Sequence, residues 1–295
     1  MKFKTPDTSS NLVNENQEYF PTEIDLYFRR HSIKSRHDET GADYSVGITD
    51  KGKQLARENS FKNVNMRNTL IVGSPRIRTQ ETGAFMVLGD MDDITGNETL
   101  DELKKILNKD IKIGSRIAVD NRLNFNDDPN SPVGKFLSEE TSAGRFLKAL
   151  VEDSDRITEE TGDTSKSNYS FKAAEIARII RKYISMSPRW NSLVSNKENN
   201  YEPTLDRYLN THQGMQESFL AKLIEKTKGI KYRNQFVEIL DNKGFGYLEG
   251  MDVKILTKAK GEVSIEVSYE NKAKGFSFKQ TVPRLLIEEI IKEDK

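Results

Sequence analysis

Cysteine is absent from the 295 residues. Disulfides, thiol nucleophiles and cysteine-ligated metals are therefore excluded. Long apolar runs are missing too. No stretch approaches the roughly 20 apolar residues of a membrane-spanning helix. The opening segment, MKFKTPDTSSNLVNENQEYF, has no apolar signal-peptide core and reads as a polar tail. Nor is there a net charge of either sign, because 46 Lys and Arg balance 46 Asp and Glu. Nothing in that balance draws the chain to nucleic acid or to an anionic membrane, although a local basic cluster could still hold a small anion. The expectation is a cytoplasmic protein with a highly charged surface, formed as one large domain over residues 1–295.

Several segments carry clear patterns. Residues 24–29, IDLYFR, suit a buried strand, and Arg30-His31 follows directly. After a polar loop, Thr49 is placed to cap a helix beginning TDKGKQLA. Residues 69–73, TLIVG, read as a second buried strand that Ser74-Pro75 breaks before a helix over 77–88. A weaker strand, 205–210, leads into Thr211-His212 and a helix over 215–228. Val263, Ile265, Val267 and Tyr269 alternate, and Phe276 and Phe278 follow the loop NKAKG, which predicts a C-terminal β-hairpin. The last stretch, LLIEEIIKE, is a helix or an edge element. The alternation of strands and helices argues for an α/β fold with a mostly parallel central sheet and helices on both faces. Residues 90–170 are rich in Asp, Glu, Asn, Ser and Thr, with helical patches such as LDELKKILN; KAAEIARIIRKYI follows, and residues 90–200 read as an inserted helical cap.

Three of these segments share one design, a short apolar strand ending in a polar or basic cluster: FRRHSIKSR, GSPRIRTQET and NTHQG. In open α/β sheets, ligands collect at the carboxyl ends of the strands. Parallel strands would therefore bring Arg30, His31, Arg78 and His212 around one crevice. Arginine's planar fork holds phosphate oxygens in paired hydrogen bonds. Histidine titrates near neutrality and can act as a nucleophile. Such a pocket can hold a phosphoryl group with no metal and no cofactor.

At these residues the chain resembles the histidine phosphatase superfamily, which includes phosphoglycerate mutases and acid phosphatases. The family's first strand ends in Arg-His-Gly, and here it is Arg30-His31-Ser32. Its Leu-Thr-x-x-Gly-x-x-Gln-Ala stretch corresponds to ITDKGKQLA, with Thr49, Gly52, Gln54 and Ala56. Its Ser-x-x-x-Arg with a later Thr corresponds to Ser74, Arg78 and Thr82, and its second His to His212-Gln213-Gly214. The resemblance implies a phosphoglycerate mutase-like fold. It also implies that His31 is the nucleophile that becomes phosphohistidine, with Arg30, Arg78 and His212 binding the phosphoryl oxygens. Ser32, Lys34 and Arg76 are expected to extend the phosphate- and substrate-binding set.

The proton donor departs from the family pattern. Where one branch has a mid-chain Glu, the stretch VDNRLNFN has Phe125. Where the other branch has Asp after the second His, this chain has Gln213, with Glu217 one helical turn on. Asp127 or Asp128 is taken as the acid, although the run Asp127-Asp128-Pro129 also suits a turn. Arg76 could pair with Glu81 instead of facing substrate. His37 reads as a solvated loop residue, Trp190 as a packing residue, and DNKGFGYLEG as a hairpin turn, since its glycine spacing is wrong for a phosphate loop. The expected function is a metal-independent phosphomonoesterase acting on a small phosphorylated metabolite or a phosphoprotein. The alternatives are a mutase-like phosphoryl transferase and a non-catalytic phosphate binder.

Overall fold

The computed structural model of the protein describes residues 20–35, 43–91, 94–112, 114–125, 128–196, 198–258 and 261–294. The strands are β1 (Thr22–Arg30), β2 (Thr69–Gly73), β3 (Ile117–Val119), β4 (Thr204–Thr211), β5 (Gly250–Thr257), β6 (Val263–Asn271) and β7 (Phe276–Val282). Among the described residues they form one sheet in the order β3-β2-β4-β1-β5-β6-β7. The first four strands run parallel, and β5, β6 and β7 extend them antiparallel. The fold is thus α/β with a mixed sheet that is parallel at its core.

The helices are α1 (Asp50–Glu58), α2 (Ile77–Leu88), α3 (Leu100–Leu107), α4 (Pro132–Ser142), α5 (Phe146–Glu152), α6 (Ser154–Thr161), α7 (Tyr169–Ser195), α8 (Met215–Lys228), α9 (Ile230–Ile239) and α10 (Arg284–Lys292). Two cores result, one on each face of the sheet. Ile24, Leu26 and Phe28 of β1 point into a core with Ile176, Ile180, Phe219 and Leu223 of α7 and α8. Ile71 of β2 and Tyr208 of β4 face Ala56, Phe85, Leu88 and Leu103 of α1, α2 and α3. Parallel strands buried on both faces need such continuous apolar runs. Among the described residues, no helix is long and apolar enough to cross a membrane.

Within residues 90–200, α3 packs on α2, β3 joins the sheet beside β2, and α7 packs along β1 and β5. Between them lie the short helices α4, α5 and α6, of which α4 contributes Val133 and Leu137 and α5 contributes Leu147 and Leu150 to the α7–α8 core. Helix α7 is much longer than the apolar pattern at 172–184 suggests and continues through Pro188. A proline there leaves the carbonyl four residues back without its usual donor. The Ser187 hydroxyl donates to that Ile184 carbonyl at 2.9 Å, which is how the helix continues.

The strand order sets the position of the site. Because β4 lies between β2 and β1, the carboxyl ends of all three are neighbours: Arg30 is opposite Thr211, and Gly73 is opposite Asn210. On the other side of β1, Gly250 approaches so closely that an added Cβ would lie 1.8 Å from the Phe28 carbonyl oxygen. Gly250→Ala is expected to force β5 away from β1 and lower the unfolding free energy by about 1–3 kcal/mol, as overpacking does, measured by urea denaturation.

Candidate active site

Three strand ends build a cleft of about 300 Å3, lined by Arg30, His31, Lys34, Arg76, Arg78 and His212 on the charged side. Phe125, Thr141, Phe146, Gln213 and Tyr247 complete its walls. The His31 N–H donates to the Thr211 carbonyl at 2.9 Å, which carries the β1–β4 ladder one residue past the strand. Its ring Nδ1 lies 2.6 Å from the Ser32 carbonyl oxygen. A carbonyl can only accept, so Nδ1 carries the proton and Nε2 keeps its lone pair. Burial pushes the His31 pKa down to about 3, opposed by the Ser32 bond and reinforced by Arg78, Arg30 and Lys34. At neutral pH the imidazole is therefore uncharged and nucleophilic.

The second histidine sits edge-on to the first, with ring centroids 5.2 Å apart. His212 Nε2 and the Ser74 hydroxyl share a hydrogen bond of 2.8 Å. Ser74 also accepts from the Arg76 N–H at 3.2 Å, which ties the turn after β2 to the end of β4. Burial holds His212 well below its ordinary pKa, and the nearby His31, Arg78, Arg76 and Arg30 push in the same direction.

The arginines are positioned differently. Arg30 stacks on the Tyr247 ring, with 4.7 Å from guanidinium carbon to centroid, and donates to the Phe245 carbonyl. Glu217 braces that arrangement. It is buried and accepts from the Phe245 and Gly214 N–H groups, each at 2.9 Å. Burial raises its pKa, while those bonds and Arg30 oppose the rise. Arg76 donates to Asn124 Oδ1 at 2.9 Å and to the Phe125 carbonyl at 3.3 Å. Arg78 donates from both terminal nitrogens to the Asp43 carboxylate, at 3.2 and 3.1 Å, and to the Asp43 carbonyl at 3.0 Å. Arg76 contacts the same carboxylate, and Lys34 Nζ lies 4.0 Å from it. The Nε atoms of Arg30 and Arg78 are buried with no hydrogen-bond partner.

The structure brings together Arg30, His31, Lys34, Arg76, Arg78 and His212. Two other expected residues lie elsewhere. Ser32 is fully buried and its hydroxyl donates to the Gly52 carbonyl at 2.7 Å, away from the cleft lining. Its N–H donates to Thr82 Oγ1 at 3.0 Å. Thr49 caps α1 by accepting from the Gly52 N–H, and a Cβ on Gly52 would lie 2.7 Å from the Ile33 carbonyl oxygen. Several motif residues therefore brace the loop after His31 and do not line the cleft. Asp128 is exposed and accepts from the Asn130 N–H at 3.0 Å, the turn geometry that its Asp-Pro neighbourhood suits. Asp127 and His37 lie outside the described residues. The pairing of Arg76 with Glu81 is replaced by its contact with Asp43, and Glu81 instead accepts from the Ile48 N–H at 2.8 Å.

Four participants had no sequence signal: Asp43, Thr141, Phe146 and Tyr247. Phe125 lines the cleft wall. It packs edge-on to Phe146 at 5.7 Å, with the Lys172 ammonium 4.3 Å from its centroid. Gly214, at φ +88°, lets both rings close in, since an added Cβ would meet them at 2.8 and 2.9 Å.

No family model matches the chain, and no curated protein does. Its structure is similar to solved structures of the histidine phosphatase superfamily that the motifs resemble. A mycobacterial glucosyl-3-phosphoglycerate phosphatase in complex with inorganic phosphate is 13% identical, with 86% of this chain and 100% of that chain covered and a TM-score of 0.44. A phosphoglycerate mutase from Bacillus anthracis is 12% identical, covering 91% and 97%, with a TM-score of 0.41. A putative phosphohistidine phosphatase from Agrobacterium tumefaciens is 10% identical, covering 90% and 97%, with a TM-score of 0.32. At these identities and scores, the functional reading rests on this chain's own side chains.

Both cleft histidines are neutral when folded but take up a proton near pH 6.5 when unfolded. Their contribution to stability is complete above that pH and is lost as the pH falls below it. The expected slope is about 1.4 kcal/mol per pH unit for each histidine. Urea denaturation between pH 7 and 5 measures it, and His212→Gln is expected to remove one histidine's share of the wild-type slope.

Proposed function

We propose that the cleft is the active site of a metal-independent phosphomonoesterase that works through a phosphohistidine. The carrying observation is the His31 tautomer: Nδ1–H is committed to the Ser32 carbonyl, so the Nε2 lone pair is available beside four cationic side chains. In this reading, Nε2 attacks the substrate phosphorus as the bond from phosphorus to the ester oxygen breaks. Arg30, Arg78 and His212 stabilise the charge on the phosphoryl oxygens, with Arg76 and Lys34 at the rim. Asp127, two residues beyond Phe125, is assigned the proton given to the leaving oxygen. Water then attacks the phosphohistidine and releases inorganic phosphate.

The residues of α4 and α5 act as a cap in this scheme. Thr141 and Phe146 reach the cleft from that side, and with Phe125 and Tyr247 they form the wall against which the ester group packs. A small phosphorylated metabolite fits the cleft's size, and a phosphorylated side chain on a protein is the other candidate substrate.

Purified wild-type protein with an aryl phosphate and EDTA is expected to turn over, while His31→Ala is inactive and Arg78→Ala loses about 10²–10³ in rate. The intact mass of the wild type quenched during turnover is expected to include a phosphoryl adduct that His31→Ala lacks. Absence of turnover on every phosphomonoester tried would leave only a phosphate binder. Activity that survives His31→Ala would remove the phosphohistidine. Phosphate exchange between positions of a monophosphoglycerate would favour the mutase-like alternative.

A further inference from the structure

The most unusual feature of the cleft is an anion supplied by the protein itself. Asp43 begins a three-residue turn, Asp43–Ser45, in which no side chain is buried. Its carboxylate takes both terminal nitrogens of Arg78, contacts Arg76 and faces Lys34. Three of the cations that line the cleft therefore converge on one carboxylate. The third nitrogen of Arg78, Nε, is buried and has no partner. The two terminal nitrogens of Arg78, the fork best suited to two phosphate oxygens, are the ones Asp43 takes.

We infer that Asp43 is a specificity-determining residue: a resident carboxylate in the phosphate slot that a phosphoryl dianion displaces and a monoanion does not. The inference rests on the reading of this cleft as a phosphate site. The chemistry is an exchange of anions on fixed cations. A carboxylate offers one charge and two oxygens. The phosphoryl group of a monoester offers close to two charges and three acceptor oxygens. It gains from Lys34, Arg76 and Arg78 together, and from Arg30 across the cleft, more than Asp43 does. A phosphodiester or a free carboxylate carries a single charge and gains nothing over the group it must expel. The wild-type site therefore rejects monoanions without a steric filter. Asp43 lies at the cleft's edge with its side chain about one quarter exposed, so its release exposes a carboxylate to water and does not strand it in the core.

The rival role for Asp43 is a brace that orients the two arginines toward His31. The two roles give opposite signs. Calorimetric titration at about pH 8, where phosphate is a dianion, compares wild type with Asp43→Asn and Asp43→Glu, using inorganic phosphate and dimethyl phosphate as probes. Asp43→Asn keeps the side chain's shape and removes its charge. It is expected to tighten inorganic phosphate about 10-fold and to gain binding of dimethyl phosphate, which the wild type lacks. Asp43→Glu, which keeps a carboxylate, is expected to go on excluding dimethyl phosphate. Thermal unfolding of each variant confirms that the fold is intact, and Asp43→Ser replaces Asp43→Asn if the latter does not fold. Weaker or unchanged phosphate binding in the neutral variant overturns the inference while leaving the phosphate site in place. If neither wild type nor variant binds phosphate, the phosphate-site reading fails and this inference fails with it.

Discussion

Everything in the cleft depends on the in-register parallel pairing of β1 with β4. Arg30 lies opposite Thr211, so the two histidines follow one another out of adjacent strands at the same height. A slip of one residue would exchange the faces of β1, turning Phe28 out of its core and Arg29 into it. It would also break the bond from the His31 N–H to the Thr211 carbonyl that fixes the first residue beyond the strand. The same pairing demands apolar cover on both faces, and α1–α3 on one side with α7 and α8 on the other supply it. Cleft geometry and core packing are thus one constraint.

The second organising fact is electrostatic. Arg30 and Arg78 are largely desolvated, and unpaired buried charge is costly. The chain meets that cost in two ways. Glu217 lies near Arg30 with both its oxygens fixed by backbone N–H groups, so it balances charge without entering the cleft. Asp43 meets Arg78 and Arg76 directly. The histidines stay neutral first because they are buried, and the neighbouring cations push in the same direction. The cleft concentrates positive charge around two uncharged imidazoles.

Much of this was legible in the sequence where signals are local. The strand at 69–73 and the helices at 77–88 and 215–228 are found at those bounds, because Ser74-Pro75 and Gly214 punctuate clear apolar runs. The hairpin of β6 and β7 shows in its alternation. Strand β3 has three residues, too few for any period, and β5 follows a glycine-rich turn that masks its alternation of Val253 and Ile255. Arg30, His31, Arg78 and His212 could be paired in advance because each ends or follows a strand. Asp43 and Tyr247 could not, since they reach the cleft through chain folding that no nearby residue announces. Ser32 misled for the opposite reason: it neighbours the nucleophile in sequence, but the chain turns after β1 and hands its hydroxyl to Gly52.

The hydrogen bond from His31 Nδ1 to the Ser32 carbonyl has one more consequence. Its acceptor belongs to the main chain, so the lock on the imidazole does not depend on which side chain follows it. The Ser32 side chain is turned the other way, toward the Gly52 carbonyl of α1, while its carbonyl holds the imidazole. One residue thus serves two structures at once, its backbone aiming the ring and its side chain fastening the helix that follows.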